Sequence, residues 1–188
     1  MSGLSKAAIR KAILEKRKAT SLEWRAMASR DIARLALPHV ASGPGGAVAG
    51  YWPYQSEADP RPLMHEMHRY GRALALPVIE HPRMIFRRWI EGVDLVDAGF
   101  GTLGPDHHAD MLRPSILLVP LVAFDRQGNR IGWGKGHYDR VIAHLRSDGD
   151  PLLTIGIAFS FQEVDAVPAE AHDHPLDLVV TEQGVLRS

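Results

Sequence analysis

The chain opens with a polar, basic segment in which apolar positions recur at helical spacing. Ser5 has the residue type of a helix N-cap. Behind it Ala8, Ile9, Ala12 and Ile13 form a narrow apolar stripe, while Lys6 and Arg10, four apart, share another face. Thr20 with Glu23 reads as a capping box and predicts a second helix to about Leu37, which Pro38 ends. Gly43–Gly46 is a loop, and Ala47–Trp52 has the pattern of a buried strand. After the turn-rich Pro53–Pro62, a helix is predicted from about Leu63 to Tyr70, stopped by Gly71. Two short strands follow, Ala73–Ile79 and Met84–Trp89, and Gly99–Pro114 reads as one long loop. Ile116–Val119 is apolar without interruption, as in a central parallel strand. A helix over Tyr138–Arg146 and strands over Leu153–Phe159 and Leu178–Thr181 complete the order. Strands alternating with helices predict an α/β fold: a single-domain sheet, mostly parallel at its centre, with helices on both faces. No repeat or linker divides residues 1–188, so one domain is expected.

Composition narrows the chemistry. A chain of 188 residues, 45% apolar and 23% charged, suits a soluble globular unit with a sizeable core. The absence of cysteine excludes disulfides, thiolate metal sites and a cysteine nucleophile. Net charge is zero, which points to neither nucleic acid nor membrane, but Lys6, Arg10, Lys11, Lys16, Arg17, Lys18, Arg25 and Arg30 crowd the start. Two readings of that crowding stay open: a solvated helix face, and a patch for an anionic ligand. The longest apolar run, Ile116–Phe124, is broken by Pro120 and falls far short of the about 20 residues a bilayer needs. The first twenty residues lack the apolar core of a secretory signal, so a cytoplasmic location is expected.

The informative stretch is Val119–Arg140, VPLVAFDRQGNRIGWGKGHYDR. Gly128, Gly132, Gly134 and Gly136 lie between a buried strand and a helix start, with Lys135 inside the loop and Arg130 at its edge. Glycines let backbone N–H groups approach an anion, and the following helix N-terminus favours negative charge. Polyphosphate suits such a cradle, although glycine-rich loops also serve as plain turns. The spacing fits neither a Walker A loop, since position 129 is Asn and Gly136 follows Lys135, nor a dinucleotide fingerprint.

Phe124-Asp125, Gly128, Arg130 and GWGKGHYDR resemble the signature of the 5-formyltetrahydrofolate cyclo-ligase (methenyltetrahydrofolate synthetase) family. The likeness extends along the chain: Lys6-Ala-Ala-Ile-Arg10 is similar to the family's basic first helix, and Tyr51-x-Pro53…Glu57-x-Asp59 to its folate-side loop. Gln162, Pro168, His172-Asp173, Leu176-Asp177 and Thr181-Glu182 are similar to its C-terminal segment. The resemblance implies ATP-driven closure of 5-formyltetrahydrofolate to 5,10-methenyltetrahydrofolate, releasing ADP and phosphate. It places Lys6 and Arg10 on ATP phosphates and makes Arg130, Ile131, Gly132, Trp133, Gly134, Lys135, Gly136, His137 and Tyr138 the nucleotide loop. Lys135 and Arg130 become the catalytic cations, and Asp139 with Asp173 the Mg²⁺ carboxylates. Trp52 and Glu57 fall on the folate, which also reaches Trp133–His137. The implied partners are therefore the folate, ATP and Mg²⁺, with no nucleic acid or membrane, and a monomer is expected.

Two positions depart from the family pattern: His137 stands where a first tyrosine is usual, and Gly104-Pro105 where Glu-Pro is common. A relative acting on another small molecule with ATP and Mg²⁺, and a non-catalytic nucleotide-binding module, are the alternatives. His65-Glu66-Met67-His68 lacks zincin spacing, and His107-His108-Asp110 and His172-Asp173-His174 lie in loops; all three are read as non-metal apart from Asp173. Met64 and Met67 are read as core contacts.

Overall fold

The computed structural model describes residues 5–99, 101–170 and 173–188. Helix α1 (Lys6–Lys18) is capped by the Ser5 hydroxyl, which accepts from the Ala8 amide. Its buried stripe is Ile9, Ile13 and Arg17, spaced by four, while Ala8 is exposed. Helix α2 (Leu22–Ala41) starts one residue later than the capping box predicts. Ser21 is its N-cap, accepting from Trp24 N–H at 3.1 Å, whereas the Thr20 hydroxyl turns back to donate to the Arg17 carbonyl at 2.6 Å. Pro38 does not end α2. It forfeits one backbone bond in the last turn, and burial of Ala36 and Val40 on the sheet holds the helix through it.

The remaining elements are, in chain order, β1 (Ala47–Ala49), α3 (Arg61–Arg69), β2 (Leu74–Glu80) and β3 (Arg83–Trp89). Then come β4 (Val96–Gly99), β5 (Thr102–Gly104), β6 (Pro114–Pro120), β7 (Ala123–Phe124) and β8 (Arg130–Ile131). Helix α4 (His137–Ser147), β9 (Leu153–Ile157), β10 (Leu178–Thr181) and β11 (Gly184–Arg187) close the chain. Seven strands form one sheet in the order β11-β10-β9-β6-β1-β2-β3. Its five central strands are parallel, and each edge is an antiparallel hairpin strand. The region expected as one loop, Gly99–Pro114, contains β5, which pairs back on β4, and Met111 bridges to Arg87. Strands of two to four residues such as β5, β7, β8 and β11 carry too few positions for a period of two to register; long-range pairing creates them.

Alternation places Ile116 and Leu118 of β6 in the layer under α2 and α3, and Leu117 and Val119 in the layer under α4. Those layers decide where a ligand can go. The β1–α3–β2 crossover runs outward on one face, and β6–α4–β9 runs the opposite way on the other. The chain therefore diverges after the adjacent C-terminal ends of β1 and β6, which opens a crevice at a topological switch point. Helix α1 packs beside it, Ile9 and Ile13 against Val122, Ala123, Ile131, Val164 and Val167.

Candidate active site at the switch point

The crevice holds a cleft of about 710 Å³. Every residue that the family resemblance singles out for ATP, folate or metal lines it. Its two ends differ chemically.

At one end the chain leaves β8 into the glycine loop. Gly134 (φ 91°) and Gly136 (φ 64°) take left-handed conformations that other residues rarely adopt, and Gly136 is itself the N-cap of α4. No side chain caps α4, which leaves the first amides of a helix start that lines the cleft without a side-chain acceptor, the arrangement that suits an anion. Arg10 holds the loop from α1, its Nε donating to the Gly132 carbonyl at 2.9 Å. Lys6 reaches the segment after β9, at 2.8 Å from Asp173 and 2.9 Å from Glu170. Burial works against the Lys6 charge, and these two carboxylates outweigh it, so its pKa is raised. Lys135 is exposed on the loop. The basic helix thus folds back onto the glycine loop rather than facing only solvent.

Arg130 behaves differently from an open phosphate ligand. Its side chain is 5% exposed and both ends of the guanidinium are engaged: Nη2 donates to Asp139 Oδ1 at 2.6 Å and Nη1 to the His174 carbonyl at 2.5 Å. Burial pulls its pKa down, opposed by Asp139 and then Asp173. Arg130 therefore ties the α4 N-terminus, through Asp139, to the 173–174 segment, through the His174 carbonyl. Asp139 and Asp173 are hard oxygen donors, and both already hold cations of this chain, Arg130 and Lys6. That donor set fits Mg²⁺, which takes one or two carboxylates and completes its shell with water and phosphate oxygens.

His137 opens α4. Burial lowers its pKa, reinforced by Arg140, His81 and Lys135. Arg140 Nη2 donates to His137 Nδ1 at 3.0 Å, which makes that nitrogen an acceptor and the ring neutral before any phosphate arrives.

The other end is apolar, with Trp52, Pro77, Ile79 and Met84 on its walls. Glu57 is 7% exposed there. Its Oε2 accepts from Tyr54 N–H and its Oε1 from Trp133 Nε1, both at 2.8 Å. Burial pushes its pKa up, opposed by those two donors and by Arg17. Trp133, 38% exposed, stands edge-on to Tyr54 with centroids 5.5 Å apart. The Glu57–Trp133 bond joins the loop after β1 to the glycine loop. Trp52 carries the Arg61 guanidinium over its ring at 4.6 Å, so one aromatic face is already covered. It also separates the cleft from a second cavity of about 620 Å³.

Tyr54, Ile79, Met84 and Glu170 line the cleft and were not singled out from the sequence, while Tyr51 entered only through the Tyr51-x-Pro53 pattern and not as a site residue. Tyr54 lies inside the segment that pattern opens, while Ile79 and Met84 looked like ordinary strand residues. Among the described residues the set able to offer three metal ligands is Asp106, His107 and His108; Asp110 instead pairs with Arg88 at 3.3 Å. It lies on a surface loop apart from the cleft residues. His65 pairs with Glu91 at 2.9 Å, His68 is exposed, and Met64 and Met67 are fully buried. His172 of the His172-Asp173-His174 triplet lies outside the described residues. No helix among them is long and apolar enough to cross a membrane.

Residues 3–182 match the 5-formyltetrahydrofolate cyclo-ligase family. A protein of that name from Escherichia coli strain K12 is 33% identical over 142 residues, 71% of this chain and 76% of its own. One from Haemophilus influenzae is 28% identical over 162 residues, covering 81% and 85%. In structure, the 5,10-methenyltetrahydrofolate synthetase of Aquifex aeolicus superposes with a TM-score of 0.81 at 34% identity, covering 97% of this chain and 92% of that one. The Mycoplasma pneumoniae synthetase gives 0.75 at 25% identity, covering 95% and 99%. On the whole-length match, the fold and the cleft, the chain belongs to the 5-formyltetrahydrofolate cyclo-ligase family of enzymes.

Proposed function

We propose that this enzyme, as one domain spanning residues 1–188, closes 5-formyltetrahydrofolate to 5,10-methenyltetrahydrofolate while cleaving ATP to ADP and phosphate. The observation that carries the proposal is one cleft with two unlike ends. Glycine-loop amides and the cations Lys6, Arg10 and Lys135 stand at one, and a buried carboxylate among aromatic rings stands at the other.

A formamide carbonyl is a poor electrophile, and its oxygen is a poor leaving group. The formyl oxygen attacks the γ-phosphorus, the bond to the β-bridging oxygen breaks, and ADP leaves. The neighbouring anilino nitrogen then attacks the activated carbon, phosphate departs, and that nitrogen gives up its proton. Both steps depend on alignment and charge stabilisation, which is what glycine amides and Lys135 supply, and no protein nucleophile is required. Arg10 and Lys6 hold the loop and the 170–173 segment around the triphosphate. Asp139 and Asp173 would hold Mg²⁺, which supplies charge neutralisation on the phosphates. Glu57 accepts hydrogen bonds from the amino and ring N–H groups of the pterin, with Trp133 beside it, and Trp52 stacks on the ring.

Incubation with 5-formyltetrahydrofolate, ATP and Mg²⁺ tests this directly, since the methenyl product absorbs in the near-ultraviolet. Absorbance should grow only with all three present. No growth, or growth without ATP, rejects the proposal.

A further inference from the structure

Arg17 is the anomaly of α1. The segment reads as a basic helix, yet this arginine occupies the third position of the inward stripe and is 0% exposed. Its Nε donates to the Ser56 hydroxyl at 3.1 Å and its Nη1 to the Leu121 carbonyl at 3.5 Å. Among the described residues its Nη2 has no hydrogen-bond partner. The guanidinium lies 5.5 Å from the centroid of the Trp133 ring, and the opposing charge it feels most is Glu57. Arginine does not lose its proton in proteins, so this is a permanent charge buried directly behind the apolar end of the cleft.

We infer that Arg17 is a positioning residue that keeps buried Glu57 ionised, and thereby keeps Trp133 bonded across the cleft. A carboxylate walled by aromatic rings is driven toward its neutral form. Two N–H donors and the Arg17 charge oppose that drive. An ionised Glu57 accepts from Trp133 Nε1 and retains lone pairs for a ligand's N–H groups. A protonated one is a weaker acceptor and carries an O–H donor where donors must be received.

The other groups facing this pair do not supply the charge. Tyr51 is a buried phenol and Tyr138 a partly buried one; burial raises both and Glu57 pushes them further up, so they stay neutral, and Tyr51 donates to the Ala58 carbonyl at 2.6 Å. Asp59, beside Tyr51, is paired with Arg61 at 2.6 Å. Arg25, from α2, repels Arg17 and donates to the Thr20 carbonyl at 2.7 Å. Arg130 faces Tyr138 and is held by Asp139.

The effect on catalysis rests on the proposed folate reading; the effect on Glu57 does not, and the ligand-free protein tests it. The indole N–H signal of Trp133, assigned by loss in Trp133→Phe, should titrate with Glu57 and become independent of pH in Glu57→Gln. In Arg17→Met its midpoint should move to the alkaline side by on the order of one pH unit, and in Arg17→Lys it should stay near that of the unaltered protein. An unmoved midpoint in Arg17→Met, or equal shifts in the Met and Lys variants, overturns the inference. A second measurement does not need Arg17→Met to fold. Glu57→Gln leaves a buried cation without its counter-charge, so the double variant Arg17→Met/Glu57→Gln should melt higher than Glu57→Gln alone. A lower melting temperature overturns the pairing. If the indole titration shifts as expected while KM for 5-formyltetrahydrofolate is unchanged, Arg17 keeps its role and the placement of folate at Glu57 falls.

Discussion

The two ends of the cleft are built in opposite ways. The phosphate end is largely contiguous: residues 130–139 supply the cradle, Arg130, Lys135 and one carboxylate within a single loop and the start of α4, and Lys6, Arg10 and Asp173 join it from outside, with charges paired as Arg130–Asp139 and Lys6–Asp173. The apolar end is assembled from the loop after β1, β2 and β3, and its charge, Glu57, is buried and bonded to Trp133 from the distant glycine loop. A polyphosphate is recognised largely by backbone amides, which only a run of neighbouring residues can converge on one point. A flat heterocycle is recognised by walls, and walls come from whatever elements the fold brings near.

Four substitutions probe that contrast. The largest effect is expected from Asp139→Asn, which leaves Arg130 buried without its counter-charge. Breaking a buried pair costs about 3–5 kcal/mol, and Asp139 is a fifth exposed, so about 3 kcal/mol is expected. For a chain of this length that lowers the melting temperature by roughly 6–12 °C, read by calorimetry. An unchanged melting temperature would show that Arg130 does not depend on the pair. Next, Lys135→Ala should leave the melting temperature in place and lower kcat/KM by about 10- to 150-fold, the worth of a charge-assisted phosphate contact. Retention of full ATP dependence in that variant removes Lys135 from the cradle.

Trp133→Phe asks whether the two ends are coupled. It deletes the 2.8 Å bond to Glu57 and keeps the ring, so KM for both ATP and the folate should rise by about 5- to 10-fold. A rise in only one would mean the ends act independently. The smallest effect is expected from His137→Tyr. Burial, reinforced by the neighbouring cations, holds His137 below its ordinary pKa, so its contribution to stability is present above the unfolded imidazole value and is lost as pH falls below it. Nucleotide brings opposite charge, so binding should take up protons on the acid side of neutrality, with a change under tenfold in affinity. Calorimetry in buffers of different ionisation enthalpy measures this uptake, which should vanish in His137→Tyr.

Much of the phosphate end was legible in the sequence, because its residues are neighbours and their types state the chemistry. Even there, part of the signature turns out to be scaffolding. Asp125 accepts from the amides of Gln127, Asn129 and Val167 and closes the turn before β8, and Gly128 has a φ of 78° where an added Cβ would meet the Leu176 carbonyl at 2.6 Å. These residues set the loop's approach rather than touch the cleft. Pro38 inside α2 and Ser21 as its cap show the limit of local signals: each is overridden by what the helix buries or by which hydroxyl geometry allows.

By itself the sequence determined the α/β order, the central parallel strands, the glycine cradle and the family to which the cradle belongs. Periodicity and residue type are properties of adjacent positions. Tertiary structure alone decided the rest. It turned Arg17 inward while Arg10 on the same helix faced the glycine loop and Lys6 the 170–173 segment, buried Arg130 against Asp139, and joined Glu57 to Trp133 across 76 positions. It also covered one face of Trp52 with Arg61. Whether a charge is a ligand or a strut depends on its distance from water and from its counter-charge. That distance is set by how the helices dock on the sheet, and no local pattern encodes it.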